Sequence, residues 1–162
     1  MSTFYTFLYD PSLLATMKEN IANALLNNIK VQVSTPSNPS GTTSTSPVQM
    51  GLGITYTPST TGRLLIIVTG EAANNTAGDG ATVQLSYGTG SSPSNGASAT
   101  GTAIGSKISV TSNAASQTVP VTLGYVLTGL TVGTSYWFDL QVAAITGGTA
   151  SVSNLTVLII EF

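Results

Sequence analysis

The chain has no histidine and no cysteine. Without them neither a Ser-His-Asp nor a Cys-His nucleophile can be assembled, and the common zinc sites lose their ligands. Disulfides are excluded as well, so stability has to come from packing or from association of copies, and the redox compartment leaves no mark. Charge is nearly as scarce, at 6% Asp, Glu, Lys and Arg, where about a quarter is usual. The basic residues are Lys18, Lys30, Arg63 and Lys107, too scattered to neutralise a run of phosphates, so nucleic acid is not an expected partner. No stretch approaches the roughly eighteen uninterrupted apolar residues of a membrane span. The opening MSTFYTFLYDPS lacks the basic leader and cleavage site of a signal peptide. The expectation is a chain made in a cytoplasm, with no membrane partner.

What the chain does have is a hydrophobic share of 41% and a wealth of Ser, Thr, Asn and Gly, which must supply the wet surface in place of charge. Its 162 residues give room for one domain and a modest appendage. A helix is signalled by Asp10 as N-cap and Pro11 at the first helical position, where the missing N–H costs nothing. Leu13, Leu14, Met17, Ile21, Leu25, Leu26 and Ile29 follow at helical spacing, with Lys18, Glu19, Asn20, Asn23, Asn27 and Asn28 on the other side. Such a stripe wants a partner, either the chain's own domain or a neighbour. The preceding FYTFLY run is aromatic and alternating, the pattern of a strand that could join another sheet's edge. Residues 34–47, STPSNPSGTTSTSP, contain three prolines and little to bury, and read as a flexible linker.

From Val48 onward, runs rich in Val, Ile, Leu, Thr and Tyr alternate with Gly, Ser and Asn clusters, which is the rhythm of an antiparallel sandwich or barrel. Strands are expected near 48–57, 62–69, 81–88, 101–111, 117–127, 134–145 and 149–161, with Pro120 a point at which the fifth could divide in two because proline cannot sit inside a central ladder. The organisation read from this is an arm and helix over 1–33, a linker over 34–47 and a mainly β sandwich over 48–162.

The faces of these strands differ. Ala81, Val83, Leu85 and Tyr87 oppose Thr82, Gln84 and Ser86, and the 119–127 run alternates in the same way, as strands with one wet face must. The runs Leu64-Leu65-Ile66-Ile67-Val68 and Leu155-Thr156-Val157-Leu158-Ile159-Ile160 are apolar both ways, and Trp137 stands opposite Tyr136, Phe138 and Leu140. A second apolar face over three strands exceeds what a soluble monomer usually exposes. Its expected cover is further copies of the chain, with Leu65, Ile67, Trp137, Leu155, Val157 and Ile159 as interface residues.

Few residues carry chemistry. Glu71 and Asp79 flank the loop EAANNTAGDG and are the only local pair of acids. The plain reading is a solvated loop in which Asp79-Gly80 turns into the next strand. Glu71, Asn74, Asn75 and Asp79 also offer oxygens to a ligand or hard cation, but without the alternating acidic spacing of a calcium loop. No cofactor, metal or catalytic residue is expected. Asn74-Asn75-Thr76 and Asn154-Leu155-Thr156 match the glycosylation sequon, the second inside an apolar strand. Trp137 fits an interface better than a sugar-stacking platform.

Residues 50 to 162 resemble a domain that recurs in structural proteins of tailed bacteriophages, most specifically through NNTAGDGATVQLSYGTG, the SPSNG turn and the closing YWFDLQ and SVSNLTV segments. That resemblance implies a jelly-roll sandwich, similar to the trimeric heads of complement and tumour-necrosis-factor-like proteins. It also implies a non-enzymatic virion protein, displayed as a homotrimer on the capsid as a decoration or head-fibre protein. The major capsid protein would then be the partner of an anchor made of Phe4, Tyr5, Phe7, Leu8, Tyr9, Leu13, Met17 and Ile21. The alternative within the same resemblance is a tail-fibre tip whose 71–80 and 88–100 loops touch host-surface glycans. LTGLTVGTSYWFDLQV also resembles the corner of fibronectin type III domains, with Tyr136 bonding back to the turn before it.

Overall fold

The computed structural model describes residues 11–162. Among these residues one helix, α1 (Pro11–Asn28), is followed after a single residue by the first of nine strands: β1 (Lys30–Ser34), β2 (Val48–Gln49), β3 (Ile54–Tyr56), β4 (Leu64–Asn74), β5 (Gly80–Thr89), β6 (Thr102–Thr111), β7 (Val119–Leu127), β8 (Tyr136–Ala144) and β9 (Ala150–Glu161). Every strand pair is antiparallel, and the strands form two sheets, one ordered β1-β9-β4-β7 and the other β2-β8-β5-β6, with β3 also pairing with β8. The β2–β3 and β5–β6 connections stay within the five-stranded sheet; the others cross from one sheet to the other. Two interleaved Greek keys of this kind make a jelly roll. The seven-stranded fibronectin type III sandwich is thereby set aside, although the corner that suggested it exists: the backbone N–H of Thr131 donates to Tyr136 Oη at 3.0 Å.

The core lies between the sheets. Leu64, Ile66 and Val68 of β4 and Val152, Leu155, Val157 and Ile159 of β9 meet Val83 and Leu85 of β5 and Phe138, Leu140 and Val142 of β8, all buried. Pro120 interrupts nothing: β7 is an edge strand, where a missing donor is tolerated, and Pro120 lies opposite Glu71 in continuous register.

Two boundaries differ from the sequence reading. The sandwich begins at Lys30, not near Val48, because β1 pairs with β9 over Lys30↔Glu161 to Ser34↔Val157. The Ser/Thr/Pro stretch after it is tied down by backbone and side-chain bonds: Thr42 and Ala150 exchange both N–H···O bonds at 2.8 Å, the Ala144 N–H donates to Ser44 O, and the Asn154 N–H donates to Asn38 Oδ1. Low apolar content made this stretch resemble a linker, but it crosses the end of the sandwich by satisfying polar groups, which composition does not register.

Candidate functional site

The two sheets differ in what covers their outer faces. On the outer face of the β8 sheet, Trp137, Asp139, Gln141 and Ala143 alternate with the core residues, and all are buried beneath the chain's own loops. Gln49 and Gln141 donate to Thr100 O at 2.8 and 3.3 Å, and Ser86 Oγ donates to Gln49 Oε1 at 3.2 Å. The Asp139 carboxylate accepts from the N–H groups of Gly51 and Leu52 at 2.9 and 3.2 Å. Burial raises the Asp139 pKa against these bonds. Trp137 Nε1 donates to Thr89 O at 3.1 Å, with Gly88 and Gly101 against its ring. Trp137 is therefore available neither to a partner copy nor to a sugar.

The outer face of the β1-β9-β4-β7 sheet has no such cover among the described residues. The register sets Val33, Leu158, Ile67 and Gly124 in one row across four strands, and Val31, Ile160, Leu65 and Val126 in the next. Val31 is 60% exposed, Val33 62% and Val126 49%, while Leu65, Ile67, Leu158 and Ile160 are half-buried by one another. The following row is Thr156, Thr69 and Thr122, where the apolar patch ends. Of the expected interface residues, only Leu65 and Ile67 lie on this surface. Leu155, Val157 and Ile159 have the opposite parity and fill the core. A run that is apolar on both faces does not reveal which parity points inward; the shift at Asn154 on β9, opposite Gly70, helps to set it.

The helix presents Leu14, Met17 and Ile21 exposed, with Leu13 half-buried, so the apolar stripe expected from the sequence exists and is not packed into the sandwich core. Phe4, Tyr5, Phe7, Leu8 and Tyr9, and the N-cap Asp10, lie outside the described residues.

The acidic loop is internally committed. Asp79 is buried and accepts from the N–H of Gly80, the N–H and Oγ1 of Thr146 and the N–H of Gly147 at 2.6 to 3.1 Å. Desolvation opposes the charge but these bonds outweigh it, and the Asp79 pKa lies below the ordinary value. Asn74 is buried, donates to the Gly80 and Gly147 carbonyls and accepts from the Thr76 N–H, so its sequon is closed to modification in the folded chain. Glu71 is half-buried on the other sheet and accepts from Asn154 Nδ2 at 3.0 Å. Asn75 is exposed, and its amide spans to Thr149. Asn154, whose sequon lies inside the apolar β9, is itself exposed, at φ 53°. Among the described residues no three acidic side chains gather as a metal site would require.

Sequence reasoning passed over Glu161. It is fully buried at the end of β9, where the N–H groups of Ser59, Thr60, Thr61 and Gly62 converge on its two oxygens at 2.8 to 3.2 Å, joined by Tyr56 Oη and Ser59 Oγ. The bonds overcome desolvation and hold its pKa far below the carboxylate range. The Tyr56 hydroxyl is pushed up to about 12 by burial and then by the Glu161 charge. An acid closing an apolar strand, with Thr-rich PSTTG elsewhere, was the only available signal.

No protein-family model matches the sequence, and no curated protein matches it. Solved structures do. A chain of the T13 particle of infectious bursal disease virus superposes with a TM-score of 0.53 at 12% identity, over 83% of this chain and 31% of that one. The Gx strain of the same virus gives 0.48 at 14%, over 82% and 33%. Dimeric latent PorU from Porphyromonas gingivalis gives 0.44 at 13%, over 83% and 13%. This chain thus spans about a third of the viral chains it resembles, and at such identity the likeness is one of fold.

Proposed function

We propose that the chain is a non-enzymatic structural protein of a virion, a capsid decoration or head-fibre module displayed as a homotrimer. The observation that carries this reading is a complete jelly roll that leaves a helix stripe and half of one sheet face apolar and exposed, while its polar side chains are spent on its own loops. A catalyst needs groups held ready for a substrate; here Asp79, Asp139 and Glu161 are saturated by backbone donors. Such carboxylates hold loops in place. The fold likeness to a viral particle chain supports the same reading, as does the resemblance of residues 50 to 162 to phage structural domains. In this scheme the arm that precedes α1 grips the capsid, and the jelly roll projects from it.

Its test is location. Gold-labelled antibody against the chain, applied to intact particles, is expected to mark the capsid; label confined to the tail would favour a receptor-binding tip, and no label on any particle component would sink the virion reading. An anchor deletion should stop short of Pro11, because removing residues 1–33 would also remove α1 and most of β1.

A further inference from the structure

We infer that the outer face of the β1-β9-β4-β7 sheet, joined to the apolar stripe of α1, is where copies of this chain pack on one another. The inference deepens the assembly reading above and rests on it for its biological setting.

The key observation is β1. Its sequence is Lys-Val-Gln-Val-Ser, and an edge strand in a lone sandwich would turn its valines inward. Here the order is reversed. Val31 and Val33 face outward, 60% and 62% exposed, while Gln32 and Ser34 are the better buried residues, and Gln32 Nε2 donates to Thr55 O at 3.1 Å. The register with β9 enforces this, since Val31 lies opposite Ile160 and Val33 opposite Leu158, both on the outer face. Two rows of apolar side chains therefore run across all four strands, bounded on one side by the Thr156-Thr69-Thr122 ladder. On the other side, where Lys30 begins β1, the rows end at Arg63, whose guanidinium lies 4.8 Å over the Phe162 ring, and at Ile29, 53% exposed, which separates the sheet from α1.

The occupant follows from charge, area and spacing. The two rows contain no charged residue, and Lys30 and Arg63 lie only at their border, so like surfaces meeting about a symmetry axis bring no like charges together at their centre. The exposed apolar residues of the face and of α1 amount to several hundred Å², above the patch a monomer usually tolerates and comparable with the roughly 800 Å² each partner contributes to a stable interface. Leu14, Met17 and Ile21 recur at intervals of three and four, the spacing by which identical helices seat on one another. Another copy is the partner that supplies a matching helix and a matching face in equal number.

Sedimentation velocity of the purified full chain at micromolar concentration tests this. The wild type is expected at an integral multiple of the chain mass. Val33→Glu with Ile67→Glu should return it to the monomer or weaken association at least tenfold, with the fluorescence of Trp137, which lies under its own loop, unchanged. Val31→Lys with Val33→Lys, at two side chains already more than half exposed, is the second variant should the first disturb folding. Leu14→Ser with Ile21→Ser should also weaken association. A monomeric wild type would overturn the inference, as would an oligomer indifferent to the sheet variants. Either result leaves the antibody location on particles untouched, so the failure of this interface and the failure of the virion reading are separable.

Discussion

Trp137 Nε1 donates to the carbonyl of Thr89 at 3.1 Å, which ties the chain's only tryptophan to the segment that hides it. The ring fits because Gly88 and Gly101 face it; a Cβ on either would overlap the indole, and Gly101 also has φ +71°. Gly101→Ala combines overpacking with left-handed strain, so a loss of about 2–3 kcal/mol is expected. Thermal unfolding should give a lower midpoint, and Trp137 emission should shift to the red as the cover loosens. Gly96→Ala has φ +79° but open space, and should cost less and leave the emission unmoved.

The corner bond from Thr131 N–H to Tyr136 Oη isolates a single hydrogen bond for measurement. Tyr136→Phe keeps the ring against Tyr87, whose centroid is 6.1 Å away, and removes only the acceptor. Chemical denaturation should show a loss of about 1–2 kcal/mol with an unchanged m-value. A loss near zero would mean that water replaces the hydroxyl at Thr131.

Most of the fold was legible because its signals are local. Strand positions came from β-rich runs punctuated by Gly, Ser and Asn, and α1 from Pro11 and a helical stripe. What escaped was relational. Nothing in Lys30-Val-Gln-Val-Ser states that it will pair with a strand some 120 residues later, and a five-residue strand next to a helix reads as the helix's tail. The apolar outer face was inferred correctly in kind for β4 and β9, and Leu65 and Ile67 were placed on it, but on β9 the wrong parity was taken, so Leu155, Val157 and Ile159 were assigned to the surface in place of Leu158 and Ile160. For β8 the second face is covered by loops whose composition, Ser, Gly and Asn, carries no sign that they fold back onto it.

Asn74 decides whether the 71–80 loop is a scaffold or a free ligand arm. Its amide bridges the carbonyls of Gly80 and Gly147, both at 2.9 Å, and its oxygen caps Thr76 N–H. Asn74→Ala leaves these buried groups without partners, and a loss of about 2–3 kcal/mol is expected. Asn74→Asp should be at least as damaging, since a carboxylate would face two carbonyl oxygens. Exposed Ala77, substituted by Ser, should change stability by less than about 0.5 kcal/mol. Amide exchange at Gly78 and Gly80 would report the local loosening.

The pH dependence should be governed by Glu161 and Asp79, with Asp139 opposing them. Glu161 and Asp79 have lowered pKa values in the folded chain, so the native state binds fewer protons than the unfolded one. Their contribution is complete above the ordinary carboxylate range and is lost as pH falls through that range and below it. Asp139 has a raised pKa, so it weakens the fold as pH rises through its folded value and relieves that cost on acidification. Two groups against one leave a net loss in acid: the unfolding midpoint should fall steadily from about pH 5 downward. Glu161→Gln keeps the shape but removes the charge that four backbone N–H groups converge on. It should lower stability at neutral pH by about 2–3 kcal/mol and flatten the acid limb. If the variant retained the wild-type slope between about pH 5 and 2, the acid dependence would belong to other carboxylates, and the nest over residues 59–62 would be structural without being a proton-linked clamp.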